Sequence, residues 1–320
     1  MGESRVGEFG FIDQIKSRFD VPAGIFGIGD DCAVLPAGDE DWLVSTDMLL
    51  EGVHFLRSAS SAEDVGWKTA AVNLSDVAAM GGTPKATFLS VGFPKDAQGT
   101  WAERFIEGYA AISKIYQVPL LGGDTTSSLR DIALNVGVLG TCPRGTALYR
   151  SGARVGDTIF VTGALGDSAG GLQAILKNLE RTPLVQQLVE RHLRPMPRVK
   201  EGMALRETGC VGAMMDISDG IASDLRHILK ASGVGAEVYL DQLPISTELK
   251  TVCQEQGWDL YELAAGGGED FELLFTAPAD LVNRVDFPIF PIGKIVAGQG
   301  VKWQLNGNDY TLKTIGYQHF

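Results

Sequence analysis

Short runs of glycine set directly against carboxylates recur along this chain, each where a strand-like stretch ends. They are Gly29-Asp30-Asp31, Gly122-Gly123-Asp124, Asp216-Ile217-Ser218-Asp219-Gly220 and Gly266-Gly267-Gly268-Glu269-Asp270. A further acid, Asp47, closes the strand predicted over 42–46. The 40 glycines among 320 residues follow no repeat. Glycine at such points lets backbone turn tightly or approach a ligand. A chain punctuated in this way is expected to fold as α/β (or α+β), with its acids gathered at strand ends.

Hydrophobic periodicity predicts helices over 9–19, 61–80 and 101–116, and strands over 42–46, 86–93, 118–121 and 132–141. Ser61 suits an N-cap, Glu63 and Asp64 suit a first turn, and Gly81, Gly82 and Pro84 stop that helix. Around 150–157 the chain becomes polar and glycine-containing, so a domain boundary is placed there, giving domains 1–150 and 151–320. The second half restarts with a strand over 158–162 and a turn ending at Asp167. Helices near 168–179, 183–193 and 198–207 follow, then a strand over 213–215 and a helix to about 232. Strands are predicted over 237–240, 271–276 and 289–296, and Asn306-Gly307 is a hairpin turn signal. The pattern gives two α/β domains in tandem.

Composition narrows the function. Hydrophobic residues at 45% and charged residues at 21% suit a globular enzyme with a sizeable core. A net charge of −13 leaves no basic stripe for nucleic acid or an anionic membrane. Anionic substrates would need divalent cations as bridges. The four cysteines form no Cys-x-x-Cys pair, which argues against zinc or redox chemistry. The polar residues at 1–5 carry no signal-peptide core, and no apolar run reaches about 18 residues, so a cytoplasmic protein is expected. Neither a P-loop, a dinucleotide fingerprint, a Gly-x-Ser-x-Gly elbow nor a protein-kinase motif set is present.

The acids point to hard-cation chemistry, because magnesium takes carboxylate oxygens and keeps sites for phosphate. One Asp-Gly turn alone reads as a side chain bonding its own backbone, but five in one chain favour a cluster. Asp76 is the sharpest residue. It shares a stripe with Val65, Thr69 and Val72 on an apolar helix, and only Lys68 is also charged between 65 and 80. Such a carboxylate needs a partner or a metal. Taken alone, His54 reads as a structural or surface histidine and Arg150 as a solvated loop arginine, although Arg150 could hold a phosphate bidentately.

With these residues in hand, the chain resembles the thiamine-monophosphate kinase family, within the superfamily of aminoimidazole-ribonucleotide synthetase-like ATP-binding enzymes. The carrying segments are Gly29-Asp-Asp-Cys-Ala33, Ser45-Thr-Asp-Met48 with Gly52-Val-His-Phe55, Ala71-Val-Asn-Leu-Ser-Asp-Val-Ala-Ala-Met80, Leu121-Gly-Gly-Asp-Thr125, Tyr149-Arg-Ser-Gly-Ala153, Met215-Asp-Ile-Ser-Asp-Gly220 and Gly267-Gly-Glu-Asp-Phe-Glu-Leu273. The resemblance implies a two-domain fold: an N-terminal ATP- and magnesium-binding domain whose sheet forms a barrel across a homodimer, and a larger C-terminal α/β domain. It implies that Asp30, Ser45, Thr46, Asp47, Asp76, Asp124, Asp216 and Asp219 hold several magnesium ions. Gly123, Arg150 and Ser218 would contact ATP, while His54, Glu269 and Tyr317 would contact thiamine monophosphate. Glu269 would also suit a cationic thiazolium ring. The chemistry implied is direct in-line phosphoryl transfer with no protein residue acting as general base.

Overall fold

The structure, a computed structural model, describes residues 7–314 and 316–317. The first half runs α1 (Glu8–Lys16), β1 (Ala33–Ala37), β2 (Glu40–Leu50), α2 (Ala62–Ala79), β3 (Thr83–Phe93), α3 (Thr100–Tyr116), β4 (Leu120–Ser127) and β5 (Ala133–Pro143). Its strands form one sheet in the order β1-β2-β5-β3-β4, antiparallel except for β3 with β4. Alternation along β2 sorts the faces. Leu43 and Leu49 are buried in the core with α2, whereas Trp42 and Met48 stand exposed on the other face.

α2 organises the molecule. Ser61 caps it, as its sequence predicts, and does so through a reciprocal capping box with Asp64. Its hydrophobic residues do not keep to one stripe, because it is buried nearly all round. It packs on α3, β2 and β5 of its own domain and on elements of the second half.

The second half runs β6 (Thr158–Val161), α4 (Asp167–Leu176), α5 (Pro183–Leu193), α6 (Val199–Glu207), β7 (Ala213–Asp216), α7 (Ile221–Ser232), β8 (Gly235–Tyr239), α8 (Thr247–Gln256), α9 (Leu260–Gly266), β9 (Leu273–Ala277), β10 (Phe290–Val296), β11 (Gly300–Leu305) and β12 (Asn308–Tyr310). A seven-stranded sheet results, ordered β12-β11-β8-β10-β6-β9-β7. α6 and β7 also pack on α2. A strap over 194–198 ties the halves together. Arg194 pairs with Asp64 and lies over Trp67, Trp67 donates to the Pro195 carbonyl, and Tyr116 donates to that of Pro197.

Two expectations are corrected. Asp47 lies inside β2, which runs on to Leu50, and Gly122-Gly123-Asp124 lie inside β4 rather than in a turn. Gly123 has φ +154°, and a Cβ there would sit 1.7 Å from the Leu89 carbonyl oxygen, so glycine is needed for strand contact. Periodicity does not predict α8 or α9. α8 buries only Leu249, Val252 and Cys253, and α9 ends among the glycines read as a turn. Among the described residues no helix is long and apolar enough to cross a membrane.

Candidate active site

A cleft of about 1070 Å³ opens beside α2, whose Val65, Lys68, Val72 and Asp76 line it. Their spacing of three and four residues puts them on one face. Lys68 and Asp76 stand two turns apart, about 12 Å along the axis. They mark two chemically different ends.

Around Asp76 the wall is acidic: Asp30, Asp31, Asp47, Asp216, Asp219 and Asp224, with Ser45, Ser218 and Arg150. Ser45 and Asp47 come from one face of β2, Asp216 ends β7, and the turn into α7 brings Ser218 and Asp219. Ser45 Oγ donates to Asp76 Oδ2 at 2.6 Å, and Ser75 Oγ to Asp216 Oδ2 at 2.5 Å. The Asp47 amide donates to Asn73 Oδ1 at 3.1 Å, fixing β2 against α2. The Arg150 amide donates to both Asp30 oxygens at 3.1 Å, and its guanidinium pairs with Asp31.

Burial and then the charge of Asp31 raise the pKa of Asp30 to about 7, against the pull of Arg150. The same two causes raise Asp47 to about 6 and Asp216 to about 7. Asp76 is held well above the ordinary carboxylate range by burial, then by Asp47, Asp216 and Asp31.

The Lys68 end is different. Leu56, Leu172, Ile175 and Leu193 supply apolar wall, while Tyr317, half-exposed, lines the cleft with its amide donating to the Asp219 carbonyl at 3.3 Å. Glu269 Oε2 lies 2.7 Å from Lys68 Nζ and 3.2 Å from His192 Nδ1. Burial raises the Glu269 pKa, but Lys68 and then His192 more than offset this, leaving it below the usual range. Burial and then Lys68 push His192 down to about 3, so it is neutral at pH 7. His54 Nδ1 accepts from the Leu50 amide at 3.0 Å, which leaves the proton of the neutral ring on Nε2.

Against known proteins, the profile described as AIR synthase related protein, N-terminal domain, matches residues 29–142, and that of the C-terminal domain matches 154–306. A thiamine-monophosphate kinase of Aquifex aeolicus (strain VF5) is 39% identical across 98% of each chain, and that of Escherichia coli (strain K12) is 40% identical across 98% of each. This chain belongs to the thiamine-monophosphate kinase family. The solved structure of AaThiL complexed with AMPPCP and TMP matches with a TM-score of 0.89 at 38% identity, covering 100% of this chain and 99% of that one. The thiamine-monophosphate kinase of Stenotrophomonas maltophilia K279a matches with a TM-score of 0.77 at 40% identity, covering 95% and 98%. Structures of the hydrogenase maturation protein HypE, at 19% identity and a TM-score of 0.70, share the fold.

Of the residues singled out through the resemblance to thiamine-monophosphate kinases, Asp30, Ser45, Asp47, His54, Asp76, Arg150, Asp216, Ser218, Asp219, Glu269 and Tyr317 line the one cleft. Thr46, Gly123 and Asp124 do not. Thr46 faces the other side of β2, where Asn135 Nδ2 donates to its Oγ1 at 2.9 Å. Asn135 is in register with Ser90, and Ser90 with Asp124, so Thr46 and Asp124 share the sheet's open face. Asp31, read among the gathered acids but given no role of its own, lines the cleft too, and sequence reasoning missed Lys68, His192 and Asp224 as lining groups. Only Lys68 carried a usable signal, its helical spacing from Asp76.

Magnesium fits the acidic end. The donors are hard oxygens. Asp31 Oδ2 and Arg150 Nε are buried without a hydrogen-bond partner, which is the pattern of groups built to meet a ligand. Among the described residues no three acidic, histidine or cysteine side chains converge as a closed cage, so the donors line an open wall. Because Asp30, Asp47 and Asp216 bind protons more tightly in the fold than an ordinary aspartate at 3.8, the stability they give is full below about pH 4 and is lost as pH rises to about 7. Magnesium bound there would replace those protons. Its stabilisation is therefore expected to be larger at about pH 8 than at about pH 5.5. Thermal midpoints with magnesium and with EDTA at both pH values check this, and equal magnesium shifts would remove the aspartates from the metal site.

Proposed function

We propose that this protein transfers the γ-phosphoryl group of ATP to thiamine monophosphate, giving thiamine diphosphate. The observation that carries the proposal is the cleft's division along one face of α2. Carboxylates face one end, and a held carboxylate with apolar walls faces the other. A polyphosphate matches the first end through magnesium, and a cationic heteroaromatic ring system matches the second. Binding of AMPPCP and TMP by the structural relative AaThiL supports this choice of substrates.

In this reading Asp30, Asp47, Asp76, Asp216 and Asp219, with Ser45, hold magnesium. Bound magnesium neutralises the phosphate oxygens so that two polyanions can approach. Arg150 and Ser218 orient ATP, and His54 and Tyr317 place the acceptor. The acceptor phosphate is mostly ionised at neutral pH, since the second pKa of a phosphate ester is about 6. No side chain need remove a proton, so the protein's work is alignment.

Thr46, Gly123 and Asp124 enter through a second copy of the chain. β4 is an edge strand with all eight residues exposed, and Leu35, Trp42, Met48 and Phe88 are exposed on the same sheet. Apolar surface of this kind favours a partner, and a twofold pairing of this sheet would carry Asp124 toward the other subunit's metal end. Residence in the cytoplasm is part of the same proposal.

The test is incubation with ATP, magnesium and thiamine monophosphate, with chromatography of the product and EDTA and free-thiamine controls. Thiamine diphosphate formed only with metal and only from the monophosphate is expected. Absence of product under all conditions rejects the reading.

A further inference from the structure

Lys68 is a charge in the cleft that the reaction does not explain. Its side chain is 3% exposed, although a lysine head group ordinarily reaches water and its burial is costly without a partner. It stands on α2, two turns from Asp76, and spends its charge on Glu269. The same Glu269 oxygen meets His192 Nδ1, which lies 3.0 Å from Ser168 Oγ. Three separate elements therefore fix one carboxylate: α2, α5 and the loop before β9.

That loop is shaped for the purpose. Glu269 and Phe271 have φ of +63° and +50°, a region that non-glycine residues adopt only when held there. The Glu269 amide donates to the Ser218 carbonyl at 2.7 Å, and that of Phe271 to Ile217 at 2.9 Å. A Cβ at Gly268 would lie 2.4 Å from the Ser218 oxygen, so only glycine allows this approach. Between the two strained residues, Asp270 turns the other way and accepts from the amides of Gly166 at 2.7 Å and Ser168 at 3.2 Å. The backbone is thus anchored on both sides, and Glu269 is left facing the cleft.

A bare carboxylate would attract any cation. Glu269 is paired, so the unit is neutral overall, and discrimination falls to direction rather than charge. Resting on the reading that thiamine monophosphate is the acceptor, we propose that Lys68 is a specificity-determining positioning residue. It holds the Glu269 carboxylate in one orientation, from which that carboxylate reads the nitrogen-bearing rings of the acceptor.

The experiment is a double-mutant cycle with Lys68→Met, Glu269→Gln and the double variant, measuring KM for thiamine monophosphate and for ATP. Lys68→Met is expected to raise the acceptor KM by about 10- to 100-fold, with kcat less affected and the ATP KM within about twofold. The double variant is expected to be no weaker toward the acceptor than Glu269→Gln, because Lys68 acts only through Glu269. Equal losses toward ATP and acceptor, or a double variant clearly weaker than Glu269→Gln, overturn the inference. Should Lys68→Met fail to fold, the comparison of the double variant with Glu269→Gln still decides, since the double variant leaves no unpaired charge. A wild-type protein that cannot phosphorylate thiamine monophosphate overturns the functional reading and this inference with it. Normal wild-type turnover with an additive cycle overturns the inference alone.

Discussion

Replacing Asp216 by asparagine is expected to lower kcat by at least about 10³-fold while raising the thermal midpoint of the metal-free protein by about 2–6 °C. Both effects have one cause. Asp216 is 3% exposed and stands among Asp31 and Asp47, so its charge is paid for in stability. An amide of the same shape can still accept from Ser75 Oγ, and it carries no charge that burial opposes. The fold gains, and a bound magnesium would lose an anionic ligand. Steady-state kinetics with saturating magnesium, paired with calorimetry in EDTA, check the two halves together. Near wild-type kcat would take Asp216 out of the reaction. Lost activity with a lowered midpoint would make Asp216 a structural residue instead. The opposed signs separate the roles, since a merely structural aspartate would lower stability and activity together.

Much of this site was legible because its parts are local. The Asp216-to-Gly220 turn needs only a short strand, β7, before it and a helix, α7, after it, and both were predicted. Asp76 stood out because a carboxylate on an apolar helix face demands an explanation that neighbouring residues do not supply. Ser61, read as an N-cap, fixed where that helix begins. His192 could not be found this way. It becomes part of the cleft only because α5 and the 194–198 strap dock on Asp64, Trp67 and Tyr116, more than 75 residues away in sequence, as in the Tyr116 to Pro197 bond with its separation of 81. Lys68 showed its spacing but not its partner, which lies 201 residues on. Asp47 and Asp124 were both misplaced at strand ends for one reason: the polar run Ser45-Thr46-Asp47 inside β2 and the glycines inside β4 look like turn residues. What keeps these strands extended is pairing with β5 and β3, a tertiary fact that outweighs local propensity.

Asp124 offers the second large effect. It lies on the exposed edge strand β4, outside the cleft of its own chain. If a partner subunit's site uses it, Asp124→Ala should lower turnover by about 10²- to 10³-fold without changing stability, because an exposed strand residue has little packing to lose. The decisive measurement mixes this variant with Asp216→Asn, after partial unfolding and reassociation. Each variant alone is nearly inactive. In a mixed dimer, one cleft combines intact Asp216 with the other subunit's intact Asp124, and the second cleft lacks both. Random pairing makes half the dimers mixed, each with one working cleft of two, so about a quarter of wild-type activity should return. Recovery of that size would show that the open face of the sheet completes a neighbour's site. An inactive Asp124→Ala with no recovery on mixing would mean that Asp124 serves its own chain. Unchanged activity in Asp124→Ala would remove β4 from the reaction, and the exposed Trp42, Met48 and Phe88 would then need a partner with no part in catalysis.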